Sequence, residues 1–260
     1  MELFKFFFEV PLILGMMLFV SIAVSTSLLI YYWSHRLMAA HLKKEHERAG
    51  RVLFRNSAGL LALILSFTFA NDRIIYYQIK DSLVGEASRI VDMYMDLEEY
   101  NTPEASQVNQ NILSYVNLMV DEDYIIADGN PFATATMREF RKIYQGIHDL
   151  TPTTEKQKYL VQDLYSDLDG LSDNMQVRVY QSNNRGNYVF YILLAGLFVM
   201  MIIFGIYKPD KFNLLFLGLY SGFISSVIFF MILLSEPFQG PLKIQPEPFL
   251  ILKQAVDNRE

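Results

Sequence analysis

The chain has 260 residues, no cysteine, a formal net charge of −6 and 52% hydrophobic residues, with a mean hydropathy of +0.20. Apolarity at that level is high for a water-soluble chain of this length and places it among membrane proteins. The lack of cysteine excludes disulfides, thiolate metal sites and thiol catalysis, and leaves the redox compartment open.

The first apolar run, residues 11–33, carries no charge and is long enough to cross ~30 Å of hydrocarbon as a helix. It does not read as a cleaved signal peptide: residues 1–9 hold one Lys against two Glu, and the run ends in Tyr31, Tyr32 and Trp33 rather than in small residues. A basic loop, 34–56, follows with Arg36, Lys43, Lys44, Arg48, Arg51 and Arg55 against Glu45 and Glu47. His35, His41 and His46 also lie there, without the carboxylate or Cys partners a zinc site needs; a weak pH response of the loop is the alternative. The second apolar run, 57–70, is short, but counted from Val52 with Arg55 snorkelling to the headgroups it reaches spanning length.

Tyr76, Ile79, Leu83, Ala87, Ile90, Tyr94 and Leu97 continue from that run at helical spacing with no Gly or Pro at the junction, which predicts one long rod. Asn101 and Thr102 end it, with Thr102 capping and Pro103 opening the next helix. That helix carries Ala105, Val108, Ile112, Tyr115 and Met119. A breaker at 128–131 precedes a third stripe of Met137, Phe140, Tyr144 and Ile147, and a fourth holds Leu160, Leu164, Leu168, Leu171 and Met175. Four amphipathic helices with short connections predict an antiparallel bundle. Two more uncharged runs, 188–207 and 212–235, flank a Lys208–Lys211 turn. Both short loops are basic and therefore read as cytoplasmic, whereas residues 73–187 carry 10 basic and 18 acidic side chains, a net of 10 − 18 = −8, and read as extracytoplasmic with both termini.

The expected fold class is thus all-α, a four-span helical membrane protein. Residues 1–72 supply the first two spans and the cytoplasmic loop 34–56, residues 73–187 an acidic extramembrane bundle inserted between spans two and three, and residues 188–235 spans three and four. Residues 236–260 form a proline-rich C-terminal strap. In it Pro237, Pro241, Pro246 and Pro248 alternate with Phe238, Leu242, Ile244 and Phe249, an interleaving that a disordered tail would not need. The strap is expected to run extended against the bundle with Phe238, Leu242 and Ile244 tucked in, ending in a short amphipathic segment at 249–256.

Chemistry-bearing motifs are few. Asp163, Asp167, Asp169 and Asp173 lack the alternating loop positions and terminal acid of a calcium loop, and they read as a solvated face, as do Asp121, Glu122 and Asp123. No phosphate-cradling glycine loop, nucleophile elbow or HExxH pattern occurs, so no enzyme, cofactor, metal or nucleic-acid partner is expected. The second span is more informative. At 100° per residue Ala58, Gly59, Ala62, Ser66 and Ala70 share one face, and Arg55 and Arg73, 18 residues apart, stand on that face about 27 Å from each other. Small residues at this spacing are the usual helix-packing groove, here with snorkelling arginines; the alternative is the lining of a narrow pathway with a cationic ring at each mouth, favouring anions in an oligomer. Gly218, Gly222 and Ser226 form a similar stripe in the fourth span, where close helix packing is the simpler reading.

The stretch NSAGLLALILSFTFANDRIIYYQIKDSLVGEASRIVDMYM, 56–95, resembles the bestrophin-like family of bacterial membrane proteins: a Gly-Leu-Leu span ending in Phe-Thr-Phe, an Arg soon after, and a Gly-Glu-Ala motif holding Glu86 and Ala87. The end agrees, since LLSEPFQGPLKIQPEPF, 233–249, is similar to that family's closing pattern of Pro, a Gly three residues on, Ile or Val and a second Pro. One departure is the lead-in to the first Pro, here Leu234, Ser235 and Glu236 with a single acid and no Arg. The resemblance, which covers the chain from about residue 20, implies a lipid-embedded homo-oligomer, by analogy with bestrophins a pentamer, that passes anions. The competing expectation is a non-conducting sensor or scaffold whose acidic bundle binds a partner and whose basic loop docks on anionic lipid or a cytoplasmic protein.

Overall fold

A computed structural model describes residues 5–121, 134–183 and 188–257; among them all regular structure is helical and there is no strand. The helices are α1 Lys5–Glu9, α2 Leu12–Met38, α3 Lys44–Tyr100, α4 Pro103–Val120, α5 Ala135–His148, α6 Glu155–Asn183, α7 Tyr188–Phe204, α8 Lys211–Leu234 and α9 Glu247–Asp257. The chain divides into two compact units, Met1–Tyr76 with Arg185–Lys243 and Tyr77–Asn184 with Ile244–Glu260. The rod predicted from the unbroken spacing is α3, 57 residues in one helix that belongs in part to each unit.

The first unit is built on α8, the most buried of the long apolar helices: half of its most apolar stretch is covered, against 11% for α2 and for α3. Leu61 and Leu65 of α3, Leu193 and Met200 of α7, and Ile224, Ile228 and Ile232 of α8 make its core. α2, α3 and α8 are each long and apolar enough to cross a membrane. α7, 17 residues, is shorter than the run 188–207 suggests, because the chain leaves the helix at Gly205. There α2 side chains bond carbonyls at and just past the end of α7: Ser34 Oγ donates to Ile202 O (3.0 Å), which also accepts from the Gly205 N–H, His35 Nδ1 bonds Gly205 O (2.8 Å) and Tyr31 OH donates to Tyr207 O (3.2 Å). A side chain at Gly205 would overlap Ser34, so this junction needs a glycine. Asp210 caps α8, its Oδ1 accepting from the Asn213 N–H at 2.8 Å.

The second unit packs Tyr77–Tyr100 of α3 with α4, α5, α6 and α9. α3 ends at Asn101, which takes a left-handed φ of 55°, and Thr102 Oγ1 accepts from the Ala105 N–H with Pro103 in the first turn of α4. α3 and α6 run antiparallel: Gln78 meets Gln181, Glu86 meets Arg178, Arg89 meets Asp167, and Glu99 meets Lys156. The stripes of α4 and α6 are buried throughout, and Ile79, Leu83, Ile90 and Leu97 of α3 face them at 1% exposure or less.

Four expectations change. The basic loop 34–56 is mostly helix: only residues 39–43 separate α2 from α3, because Arg, Lys, Glu and Ala are good helix formers and charge alone does not end a helix. His35 accordingly belongs to the last turn of α2, and His46, whose Nδ1 accepts from Lys43 N–H, to the first turn of α3. In α5 Phe140 and Ile147 are buried as expected, but Ile143 takes the place given to Tyr144, which is 45% exposed and lies against His148, which in turn meets Tyr165. The strap is not extended throughout. Residues 237–242 turn tightly, with Gly240 at φ +76° beside Phe8, and residues 247–257 are helix. Phe238 and Leu242 are half-buried, whereas Ile244 and Phe249 are buried. The breaker at 128–131 and residues 122 and 123 lie outside the described residues.

Candidate functional site

Because α3 is continuous, Arg55, Ala58, Gly59, Ala62, Ser66, Ala70 and Arg73 keep the register expected of them, within about 60° on either side of Arg55 around the axis. The first unit packs on another side of this helix, through Leu61 and Leu65. Ala58 is half-buried, and Arg55, Gly59, Ala62, Ser66, Ala70 and Arg73 are exposed. A Cβ built on Gly59 would meet no atom within 4 Å. Among the described residues, then, this face is left open apart from Ala58, which packs beside the core of the first unit. The contrast with α8 is direct: a Cβ on Gly222 would lie 3.6 Å from Val24 and 3.8 Å from Val20, and Ser226 returns its hydroxyl to Gly222 O. Gly218, Gly222 and Ser226 lie where α8 packs on α2.

The second unit contains a polar centre that sequence reasoning did not single out. Glu86 is fully buried and receives a two-pronged hydrogen bond from Arg178, Nε to Oε1 at 2.8 Å and Nη2 to Oε2 at 3.2 Å; Tyr115 OH donates to Oε2 at 3.2 Å. One residue from each of α3, α4 and α6 thus meets in a site closed to water, the forked geometry that makes a buried pair tolerable. Burial, followed by the Glu86 charge, pushes the Tyr115 phenol well above its ordinary range, so it stays a neutral donor. The ring of the strap's Phe249 meets the Tyr115 ring edge-on, 6.3 Å between centroids. A signal was available: Arg178 occupies the position after Met175 in the α6 stripe, and Glu86 lies between Leu83 and Ile90.

Farther along the α3–α6 seam, Asp92, Asp96, Asp163 and Asp167 line an open hollow of about 320 Å³ with Met95 and Ser166. Arg89 offsets one of these acids, bonding Asp167 at 2.6 Å. Burial first, then Asp163, Asp167, Asp92 and Glu99, hold the Asp96 carboxyl above its ordinary value. Asp169 and Asp173 point elsewhere on α6 and are exposed. Among the described residues no three His, Asp or Glu side chains are grouped to hold a metal ion.

No curated protein and no solved structure matches the chain. The family model of the bestrophin-like domain matches residues 21–249, which takes in α3 whole, the polar centre and the strap as far as Phe249. With long apolar helices and a match over most of its length, this chain is a membrane protein of the bestrophin-like family.

Proposed function

We propose that the protein is an oligomeric anion channel in which α2, residues 52–70 of α3, α7 and α8 cross the membrane and the small-residue face of α3 lines the pathway. The observation that carries this reading is that face itself: open in the single chain, too small-sided to fill space, and bracketed by Arg55 and Arg73. At 1.5 Å per residue α7 reaches about 25 Å, the lower end of spanning length, which modest local thinning accommodates. The basic ends of α2 and α3 and the 208–211 turn then lie in the cytoplasm, and the acidic second unit and both termini lie outside the cell membrane. No catalysis enters the proposal.

The test is flux from liposomes carrying the purified chain. Chloride release that falls several-fold in Arg55→Ala and Arg73→Ala supports the channel. Absence of both chloride and cation flux from the wild type overturns it, and leaves a non-conducting sensor or scaffold whose acidic bundle binds a partner.

A further inference from the structure

Since α3 begins at Lys44 and not at the edge of its apolar run, Arg48 and Arg51 fall into helical register with Arg55. At 100° per residue they stand within about 40° of it, on the stripe that continues through Ala62 and Ser66 to Arg73. All three are exposed, and among the described residues none of the three forms an ion pair. The acids of this segment, Glu45 and Glu47, lie about 80° to either side of the stripe. At the other end the stripe carries two cations seven residues apart, Arg73 and Lys80, with Asp72 and Asp81 next to them in sequence. The stripe is therefore more basic at its Arg48–Arg55 end, with three guanidinium groups against one guanidinium and one ammonium.

We infer that Arg48 and Arg51 form, with Arg55, an anion-gathering vestibule at one mouth, so that the channel passes anions more readily when they enter from the basic end. This rests on α3 lining the pathway. Each copy in a ring would add three guanidinium groups one helical turn apart, and a confined cationic mouth raises the local anion concentration. Gathering of this kind acts over a screening length of ~30 Å at 0.01 M salt but only ~3 Å at 1 M. It therefore produces a rectification that salt abolishes, whereas a rectification set by pore shape would survive salt.

Single-channel currents of the full chain in planar bilayers, in symmetric KCl, give the ratio of unitary currents at opposite voltages without knowledge of insertion direction. A ratio of about two or more is expected near 0.02 M, approaching one at 1 M, from the steep salt dependence of steering. Arg48→Gln with Arg51→Gln should bring the low-salt ratio close to one and cut the low-salt conductance several-fold, with a much smaller effect at 1 M. Arg48→Lys with Arg51→Lys, which keeps the charge, should retain most of the asymmetry. An anion-selective channel with a ratio of one at low salt, or a ratio unmoved in the glutamine variant, overturns the vestibule and leaves the channel standing. A wild type without any conductance overturns both.

Discussion

Removing Arg178 alone should be among the most damaging single changes in the second unit. Arg178→Met leaves the Glu86 carboxylate fully buried with the Tyr115 hydroxyl at 3.2 Å as its only remaining partner within the triad. Breaking a buried pair from one side costs about 3–5 kcal/mol, because the surviving charge keeps its desolvation penalty and loses the attraction that offset it. For a chain of this size each kcal/mol shifts an unfolding midpoint by roughly 2–4 °C, so the apparent Tm should fall by about 6–20 °C. Removing the whole polar centre should hurt far less: Glu86→Leu, Arg178→Met and Tyr115→Phe together leave no charge and no unsatisfied hydroxyl, and replacement of a buried pair by apolar groups is often neutral. The pair of measurements is a thermal melt of the purified full chain in detergent and hydrogen exchange across α3 and α6, read for the single and the triple variant. A drop of less than about 1 kcal/mol for Arg178→Met, or a triple variant as unstable as the single one, would refute the reasoning.

Two further perturbations follow from the same unit. A folded-state carboxyl held above its ordinary value means that the folded chain binds more protons there than the unfolded chain does. The penalty at Asp96 is accordingly full above the raised pKa, eases as pH falls through it, and is gone below the ordinary aspartate value near 3.8. Asp96→Asn should stabilise the chain at neutral pH and flatten this part of the Tm–pH curve, a difference that melts at pH 7.5 and 5 resolve in sign. In the strap, Phe249 is fully buried against Tyr115, so Phe249→Ala should cost about 3–5 kcal/mol; a melt unchanged by it, or by deletion of residues 236–260, would make the strap a dispensable tail.

What could be read from the sequence was whatever a local rule controls. The period of 3.6 placed α4 and α6, the Asn101–Pro103 cap separated α3 from α4 where Thr102 binds the Ala105 amide, and the unbroken spacing after Ala70 made α3 one rod. What could not be read depends on partners far apart in the chain. Nothing local pairs Glu86 with Arg178, 92 positions away, and a lone Arg after a leucine stripe looks like the polar end of a helix. In the basic segment charge is no sign of a loop, since its residues favour helix, and the register of Arg48 and Arg51 emerges only once α3 is seen to begin at Lys44. α7 ends early for a tertiary reason, the α2 side chains Ser34 and His35 that bond the carbonyls of Ile202 and Gly205 where the chain leaves the helix.

The claim that α3 lines an aqueous pathway is tested most directly by introduced cysteines, since the native chain has none to react. Ala62→Cys and Ser66→Cys, on the open face, are compared with Leu60→Cys on a different face of the same helix, each in liposomes showing chloride flux and each exposed to a membrane-impermeant anionic thiol reagent. The account predicts that positions 62 and 66 react, that their reaction blocks flux, and that an anionic reagent outpaces a cationic one, while position 60 stays inert in lipid. Inert cysteines at 62 and 66, or equal reactivity at 60, would contradict it.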